Sequence, residues 1–388
     1  MYQIGEEEIQ ALRRVIESGR LFRYQGDQPS ETDLFEREWA ARIGVPHAVA
    51  VSSGTAGLSC ALAGLAIGPG DEVIVPAYTY IATALAVLAV GAVPVLAEVD
   101  ASLTLDPADA ARKITPRTKA LLPVHMCGLP CNMDALTALA RDNGLAIVED
   151  ACQADGGSYK GTRFGAIGDA AAFSFNYFKI ITCGEGGAFV TQHDDVYQRG
   201  LIYHDAGCPF FRDISEVTVP LFAGMGNRFS ELLGAVLRVQ ATRLDGILAG
   251  LRAEKRRLRA ALAEETAFTF SPVNDPDGDC GAHLGLLFAR EADARAFHAA
   301  APGTGAWIPR DTGRHVYTNW ECVMERRGAH VETRNPYAAS EVTYTQDMYP
   351  ATLDVLARTV FIPTTPARGD AEFDALVAAL QGAARSAV

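Results

Sequence analysis

The chain is short of several things, and each shortage removes a class of function. Positive charge is outnumbered, with 34 Lys and Arg against 47 Asp and Glu, for a formal net charge of −13. That balance argues against non-specific binding to nucleic acid or to an anionic membrane surface. Long apolar runs are missing too. The best candidate, residues 81–97, carries Gly91 and Pro94 and falls just short of spanning length; it reads as a buried helix turning at Gly91 into a buried strand. Eight cysteines are present, at positions 60, 127, 131, 152, 183, 208, 280 and 322, but none forms a Cys-x-x-Cys pair. Neither a zinc site nor a disulfide framework is indicated, and a reducing cytoplasm suits them best. The first residues, Met-Tyr-Gln-Ile-Gly-Glu-Glu-Glu, are acidic and have no apolar core, so no signal peptide is expected. No internal repeat or low-complexity tract stands out.

What is present is ordinary for a globular enzyme: 49% hydrophobic and 21% charged residues over 388 positions, enough for a large core and two domains. Short apolar runs alternate with helix-compatible segments from about residue 45 to 175, the pattern of an α/β fold with a mostly parallel sheet. The expected strands are Ala48–Ser52, Glu72–Pro76, Val93–Val99, Ala120–His125, Ala146–Glu149, Ala170–Phe175 and Ala188–Thr191. Helices fit Ala56–Ile67, Thr83–Val90, Pro107–Ala111, Met133–Asn143 and Val196–Gly200. Residues 204–229, with Cys208-Pro209 and Gly224, read as a long functional loop. A long helix then starts with Ser230 as N-cap and runs through the charged stretch to Arg259, where Lys255-Arg256-Arg257 reads as a solvated face. Helices over 350–358 and 370–384 suit a small α+β C-terminal domain. Between them and the long helix, the segment from Trp307 to Tyr349 is polar, aromatic and irregular, and offers His315, Tyr317, Asn319 and Trp320 as lid or substrate contacts.

Lys179 is the most informative residue. It sits in Ser174-Phe-Asn-Tyr-Phe-Lys-Ile-Ile-Thr-Cys-Gly-Glu-Gly-Gly187, between a polar-aromatic strand and a glycine-rich turn. A lysine can hold an aldehyde cofactor as a Schiff base, and apolar neighbours such as Phe178, Ile180 and Ile181 disfavour its ammonium form. Asp150 ends the apolar run Leu145-Ala-Ile-Val148-Glu-Asp, where a strand's carboxyl end opens into the crevice of an α/β sheet. Ser53-Gly54-Thr55 precedes a helix-compatible stretch, so its backbone N–H groups suit a phosphate. Tyr80, Gln153, Ser174 and the Gly226-Asn-Arg-Phe-Ser-Glu231 string complete an ordered set.

Together these segments resemble the DegT/DnrJ/EryC1 sugar-aminotransferase family of pyridoxal-phosphate enzymes, within fold type I. The resemblance runs from about residue 20 to about residue 245. It implies a large cofactor-binding domain with a seven-stranded sheet over residues 20–245, and a small domain over 246–388 with residues 1–19 packing on it. It also implies roles: Lys179 as cofactor anchor and proton shuttle, Asp150 facing the ring nitrogen, and Gln153 near the phenolic oxygen. Gly54, Thr55 and Ser174 would hold the phosphate, and Tyr80 would stack on the ring. Asn227 would reach the phosphate in a neighbouring subunit, which makes a homodimer with shared sites. Arg23, Tyr24, His204, His315 and Tyr317 are the candidate substrate contacts, and Arg163, Arg228, Arg310 or Arg314 could hold a donor carboxylate.

The resemblance implies transfer of an amino group from glutamate or glutamine to a keto or aldehyde sugar. One branch of the family replaces the lysine by histidine and dehydrates its sugar; the lysine here points to transamination. Asn176-Tyr-Phe178 departs from the residues many relatives carry before the lysine. Strings such as Pro123-Val-His-Met-Cys-Gly128 and Gly156-Gly-Ser-Tyr-Lys-Gly161 look most like the branch that aminates an eight-carbon keto-sugar acid. Two alternatives are an aminotransferase for a cyclic ketone, such as an aminocyclitol or aminoshikimate-type precursor, and a non-catalytic cofactor-binding regulator. No metal, nucleic-acid partner or membrane is expected.

Overall fold

The computed structural model describes residues 4–25, 28–207, 217–329, 331 and 335–386. Helices α1 (Glu6–Ser18) and α2 (Glu31–Ile43) open the chain. Ser30 caps α2 by accepting the Asp33 N–H while the Asp33 carboxylate accepts the Ser30 N–H, and Gly44 ends the helix at φ 89°. Strand β1 (His47–Val51), helix α3 (Gly54–Gly64), strand β2 (Glu72–Pro76), helix α4 (Ala82–Ala89) and strand β3 (Val93–Ala97) follow in alternation. Next come α5 (Pro107–Arg112), β4 (Thr118–Leu121), α6 (Met133–Asn143) and β5 (Ala146–Asp150). A small hairpin of β6 (Ser158–Tyr159) and β7 (Thr162–Arg163) precedes β8 (Ala170–Ser174), β9 (Gly187–Thr191) and α7 (Asp194–His204).

Seven of these strands form one sheet in the order β1-β9-β8-β5-β4-β2-β3. The four joints from β8 to β3 are parallel, and β9 is antiparallel to both its neighbours. Strands covered on both faces read as unbroken apolar runs, which is why β2, β8 and β9 are buried throughout. Leu58, Leu62 and Val87, from α3 and α4, cover one face; Phe35, Trp39 and Leu136, from α2 and α6, cover the other.

Helix α8 (Glu231–Ala261) links this body to a three-stranded antiparallel sheet of β10 (Phe268–Phe270), β11 (His283–Phe288) and β12 (Thr359–Pro363). Its Leu237 and Leu244 join the large core, whereas its Leu258 joins a separate core built with α9 (Glu291–Ala300) and α12 (Asp370–Ser386). Helices α10 (Glu321–Met324) and α11 (Pro350–Arg358) lie between β11 and β12 in sequence.

Four expectations change. Helix α1 packs on the first half of α8, not on the C-terminal sheet: Ala11 and Val15 meet Ala235, and the buried Glu8 accepts from Gln240 and Arg243 at 2.7 and 2.5 Å. The strand expected over Ala120–His125 ends at Leu121, and Val124 touches β5 only through a bridge to Asp150. Ser230 does stand at the N-cap of α8, but its hydroxyl makes no capping bond; Glu231 instead accepts the N–H groups of Glu31 and Thr32. Finally, the irregular segment after Trp307 contributes Val316, Tyr317, Trp320 and Tyr349 to the large core. The long loop after α7 is stitched back by an Asp205–Gly226 bridge, and its Cys208 and Pro209 lie outside the described residues.

Candidate active site

Sheet topology gathers the motif residues at one edge. Asp150 is the last residue of β5, Ser174 the last of β8, and Gly54 the first of α3. Gly54 is required by close approach, because a Cβ there would lie 2.7 Å from Cys152 Sγ and 2.8 Å from Ser174 Cβ. Gly187 is required for the same turn, since its Cβ would sit 2.5 Å from the Ser53 carbonyl. Ser53 Oγ accepts the Ala56 N–H at 3.1 Å and the Ser53 carbonyl takes the Gly57 N–H at 3.0 Å. The opening amides of the helix, at Gly54 and Thr55, have no intrahelical partner and stay available to a ligand.

Asp150 is buried and held on both oxygens. Thr83 Oγ donates to one at 2.8 Å, and the Cys152 N–H donates to the other at 3.1 Å. Behind it the buried pair His125 Nε2 and Glu149 stands at 3.1 Å, with the His125 ring stacked on Phe164 at 3.6 Å. Gln153 is fixed by the Cys127 N–H, which donates to its side-chain oxygen at 3.0 Å. Lys179 rides on a loop closed at its base by the Asn176–Gly184 bridge and by the Tyr177 N–H to the Gly184 carbonyl at 3.0 Å. Ile180 and Ile181 are buried beneath it, but Phe178 is 83% exposed, so the expected apolar wall is only half present in the single chain.

These groups line two adjoining cavities. The inner one, about 260 Å³, is bounded by Ser53, Gly54, Thr55, Thr83, Asp150, Gln153, Ser174 and Lys179 among others. The outer one, about 410 Å³, shares Tyr80, Gln153, Asn176 and Lys179 with it and adds Cys127, Phe178, Ile180, Ala282, His283 and His315. His315 arrives because the Thr79 and Ile81 N–H groups bond to the carbonyls of His315 and Arg314 at 3.0 Å, which sets its ring 5.3 Å from that of Tyr80. Burial lowers the His315 imidazole, and burial together with the Lys255 charge takes His283 down to about 4.

Several expected contacts lie elsewhere. Arg23 is buried in ion pairs with Asp33 at 2.9 Å and Glu36 at 2.7 Å. Tyr24 donates to Asp205 at 3.2 Å, and His204 is buried with its Nδ1 at 2.8 Å from the Leu201 carbonyl. None of the three lines either cavity. Tyr317 is a core residue whose hydroxyl donates to the Gln346 carbonyl at 2.8 Å; Trp320 is likewise buried, and the Asn319 side chain bonds to the Gly313 carbonyl. Asn227 is anchored by the Ser52 N–H on its carbonyl at 3.0 Å and is absent from its own chain's cavity lining. Thr83, Asn176, Cys127 and His283 were not foreseen. Thr83 stands three residues after Tyr80 on the opening turn of α4, a spacing that could have flagged it; nothing in the sequence marks His283.

The lining suits pyridoxal phosphate. Helix-opening amides with the Thr55 and Ser174 hydroxyls match a phosphate, a doubly anchored carboxylate matches a protonated ring nitrogen, and an amine matches an aldehyde. All of them face one cavity of suitable size.

Comparison with known proteins agrees. Residues 2–300 match the model of the DegT/DnrJ/EryC1/StrS aminotransferase family. The chain is 41% identical to the dTDP-3-amino-3,4,6-trideoxy-alpha-D-glucose transaminase of Streptomyces venezuelae, over 78% of this chain and 77% of that one. It is 38% identical to the 3-amino-5-hydroxybenzoate synthase of Amycolatopsis mediterranei (strain S699), over 74% and 73%. A crystal structure of 3-amino-5-hydroxybenzoic acid synthase superposes with a TM-score of 0.82 at 30% identity, covering 99% of this chain and 98% of that one. The chain belongs to the DegT/DnrJ/EryC1/StrS aminotransferase family and is a pyridoxal 5'-phosphate-dependent transaminase of fold type I.

Proposed function

We propose that this transaminase aminates a neutral, hydroxyl-rich cyclic carbonyl compound, a keto-sugar or a close cyclitol analogue, with glutamate or glutamine as donor. The observation that carries the reading is the outer cavity. Among the described residues lining the two cavities, Lys179 is the only permanent cation, and the two imidazoles beside it are shifted toward the neutral form. Neutral imidazoles offer one donor and one acceptor each, which suits hydroxyls rather than a carboxylate. Relatives named as acting on a dTDP-amino-sugar and on 2-deoxy-scyllo-inosose, at 41% and 38% identity, support both the sugar and the cyclitol reading.

When bound, pyridoxal phosphate supplies an aldehyde and an electron-accepting ring. The chain's own groups do the rest. Asp150 would keep a proton on the ring nitrogen, Ser174, Thr55 and the α3 amides would fix the phosphate, and Tyr80 would lie over the ring. Lys179 Nζ would bind the aldehyde and, once released, carry a proton between substrate carbon and cofactor carbon. The test loads the enzyme with amino groups and offers keto-sugars, keto-cyclitols and keto-acids. Discharge by the keto-acids alone would end the reading.

We further infer a homodimer. Asn227 stands outside its own cavity, and among the described residues no arginine for the donor carboxylate lines either cavity: Arg228 is paired with Asp205 at 2.5 Å, and Arg163 with the Gly156 carbonyl. Both facts suit a site completed by a second chain. Mixing Lys179→Ala with Asn227→Ala subunits tests this, with exchange checked by tags. Shared sites restore up to half the activity in each mixed dimer; sites confined to one chain restore none. A cytoplasmic setting is supported by the seven unpaired cysteines among the described residues, and no described helix is long and apolar enough to cross a membrane.

A further inference from the structure

Tyr80, Gln153, Asn176 and Lys179 line both cavities, and of these only Asn176 has no role so far. It is half-buried and built into the turn that carries the lysine. Its backbone carbonyl accepts the Lys179 N–H at 3.1 Å, and its side-chain oxygen accepts the Phe178 N–H at 3.0 Å. A backbone N–H can only donate, so this bond fixes which end of the amide is oxygen. The Nδ2 end is turned away from Phe178, has no partner among the described residues, and is not sealed in the core. Gln153 is built the same way, since the Cys127 N–H holds its oxygen at 3.0 Å and leaves its amide nitrogen free. The junction of the two cavities therefore presents two preset amide donors beside Lys179. Gln153 is the candidate for the cofactor's phenolic oxygen, which leaves the Asn176 donor for substrate.

A transaminase takes two substrates in turn at one site. Here the first is an amino acid with a carboxylate and the second a neutral carbonyl compound. Both can carry an oxygen two bonds from the carbon that exchanges nitrogen: a carboxylate oxygen in the donor, and a hydroxyl on the neighbouring carbon of a sugar or cyclitol. A fixed cation at that spot would be left unpaired by the neutral substrate, and a fixed carboxylate would repel the anionic one. A neutral N–H donor suits both. We propose that Asn176 is a specificity-determining residue whose Nδ2 donates to this oxygen in both half-reactions, so that the acceptor is an α-hydroxy ketone or aldehyde. Because its two oxygens are tied to the Lys179 turn, the donor keeps its place relative to the lysine. The inference rests on the reading of the acceptor as a hydroxyl-rich carbonyl compound.

The test uses the holoenzyme in single turnovers, following loss of its lysine-linked visible band on loading with amino groups and the band's return on discharge. Discharge compares two cyclic ketones that differ only in the hydroxyl next to the carbonyl. Wild type should favour the hydroxylated ketone by on the order of tenfold, the worth of one hydrogen bond. Asn176→Ser, whose hydroxyl can still accept the Phe178 N–H, should bring the ratio close to one. A ratio retained in the variant, or absent in wild type while both ketones discharge it, overturns the proposal and leaves the reading of the acceptor standing. Discharge by neither ketone ends that reading and the proposal together. If Asn176→Ser does not fold, Asn176→Asp decides. It keeps the accepting oxygen but sets a like charge against the donor carboxylate, so loading from glutamate should slow at least about tenfold relative to loading from the acceptor's own amine. Equal slowing of the two overturns the proposal.

Discussion

Replacing Gly54 by alanine asks whether the start of α3 is a phosphate cradle or an ordinary strand–turn–helix junction. The added Cβ would stand 2.7 Å from Cys152 Sγ and 2.8 Å from Ser174 Cβ, well inside normal contact. Neither neighbour can give way easily, since Ser174 ends a strand buried along its length and Cys152, two residues after Asp150, is tied to it by its own N–H. The helix start must therefore move away from Ser174. Overpacking of this kind costs about 1–3 kcal/mol of stability. The larger effect falls on the ligand: losing one good hydrogen bond to a charged group is worth about 1.5–3 kcal/mol, or roughly ten- to a hundredfold in affinity. Fluorescence titration of the stripped enzyme with pyridoxal phosphate measures this, alongside a thermal melt. Gly246→Ala is the control, because it lies in α8 with nothing within 4 Å of the new Cβ and should gain up to about 1 kcal/mol from helix propensity. If Gly54→Ala loses stability but binds the cofactor within about twofold of wild type, the cradle argument is wrong.

Asp150→Asn should leave the fold intact, because an amide can still accept the Cys152 N–H and face the Thr83 hydroxyl. Turnover should nonetheless drop at least about a hundredfold, the scale of losing one preorganised catalytic charge; a loss under about tenfold in single-turnover kinetics would refute the role. Acid should destabilise the protein through His204. Its folded imidazole is pushed down to about 4, chiefly by burial, while an unfolded histidine titrates near 6.5. The unfolded state therefore binds more protons between these values, and stability falls as pH drops through that window. By pH 4.5 the loss is about 2–3 kcal/mol, so urea midpoints at pH 7 and 4.5 should converge between wild type and His204→Gln; parallel behaviour would contradict the burial argument.

The large sheet was legible because its strands are buried on both faces. Continuous apolar runs such as Val73-Ile74-Val75 and Ala170-Ala-Ala-Phe173 can be little else between turn signals, and all seven runs became strands. What they cannot convey is direction. Nothing in Gly187–Thr191 says that it inserts antiparallel between β1 and β8, because that depends on the short return after Ser174. The C-terminal strands escaped notice for the opposite reason. Phe268–Phe270 has one exposed residue between two aromatics, and its partner β11 finds its other neighbour only in β12, where His283 pairs with Pro363 and Leu287 with Thr359, so no local pattern announces a sheet.

The site divides along the same line. Residues placed by their own element, such as Asp150 at a strand end, Gly54 at a helix start and Lys179 on its closed loop, could be located from local pattern because pattern decides where an element ends. Residues placed by someone else's element could not. His315 reaches the cavity only because its segment pairs with Thr79 and Ile81, and the same pairing turns Tyr317, two residues on, into the core. Polar aromatic composition is identical evidence for both, so sequence reasoning had no means to separate them.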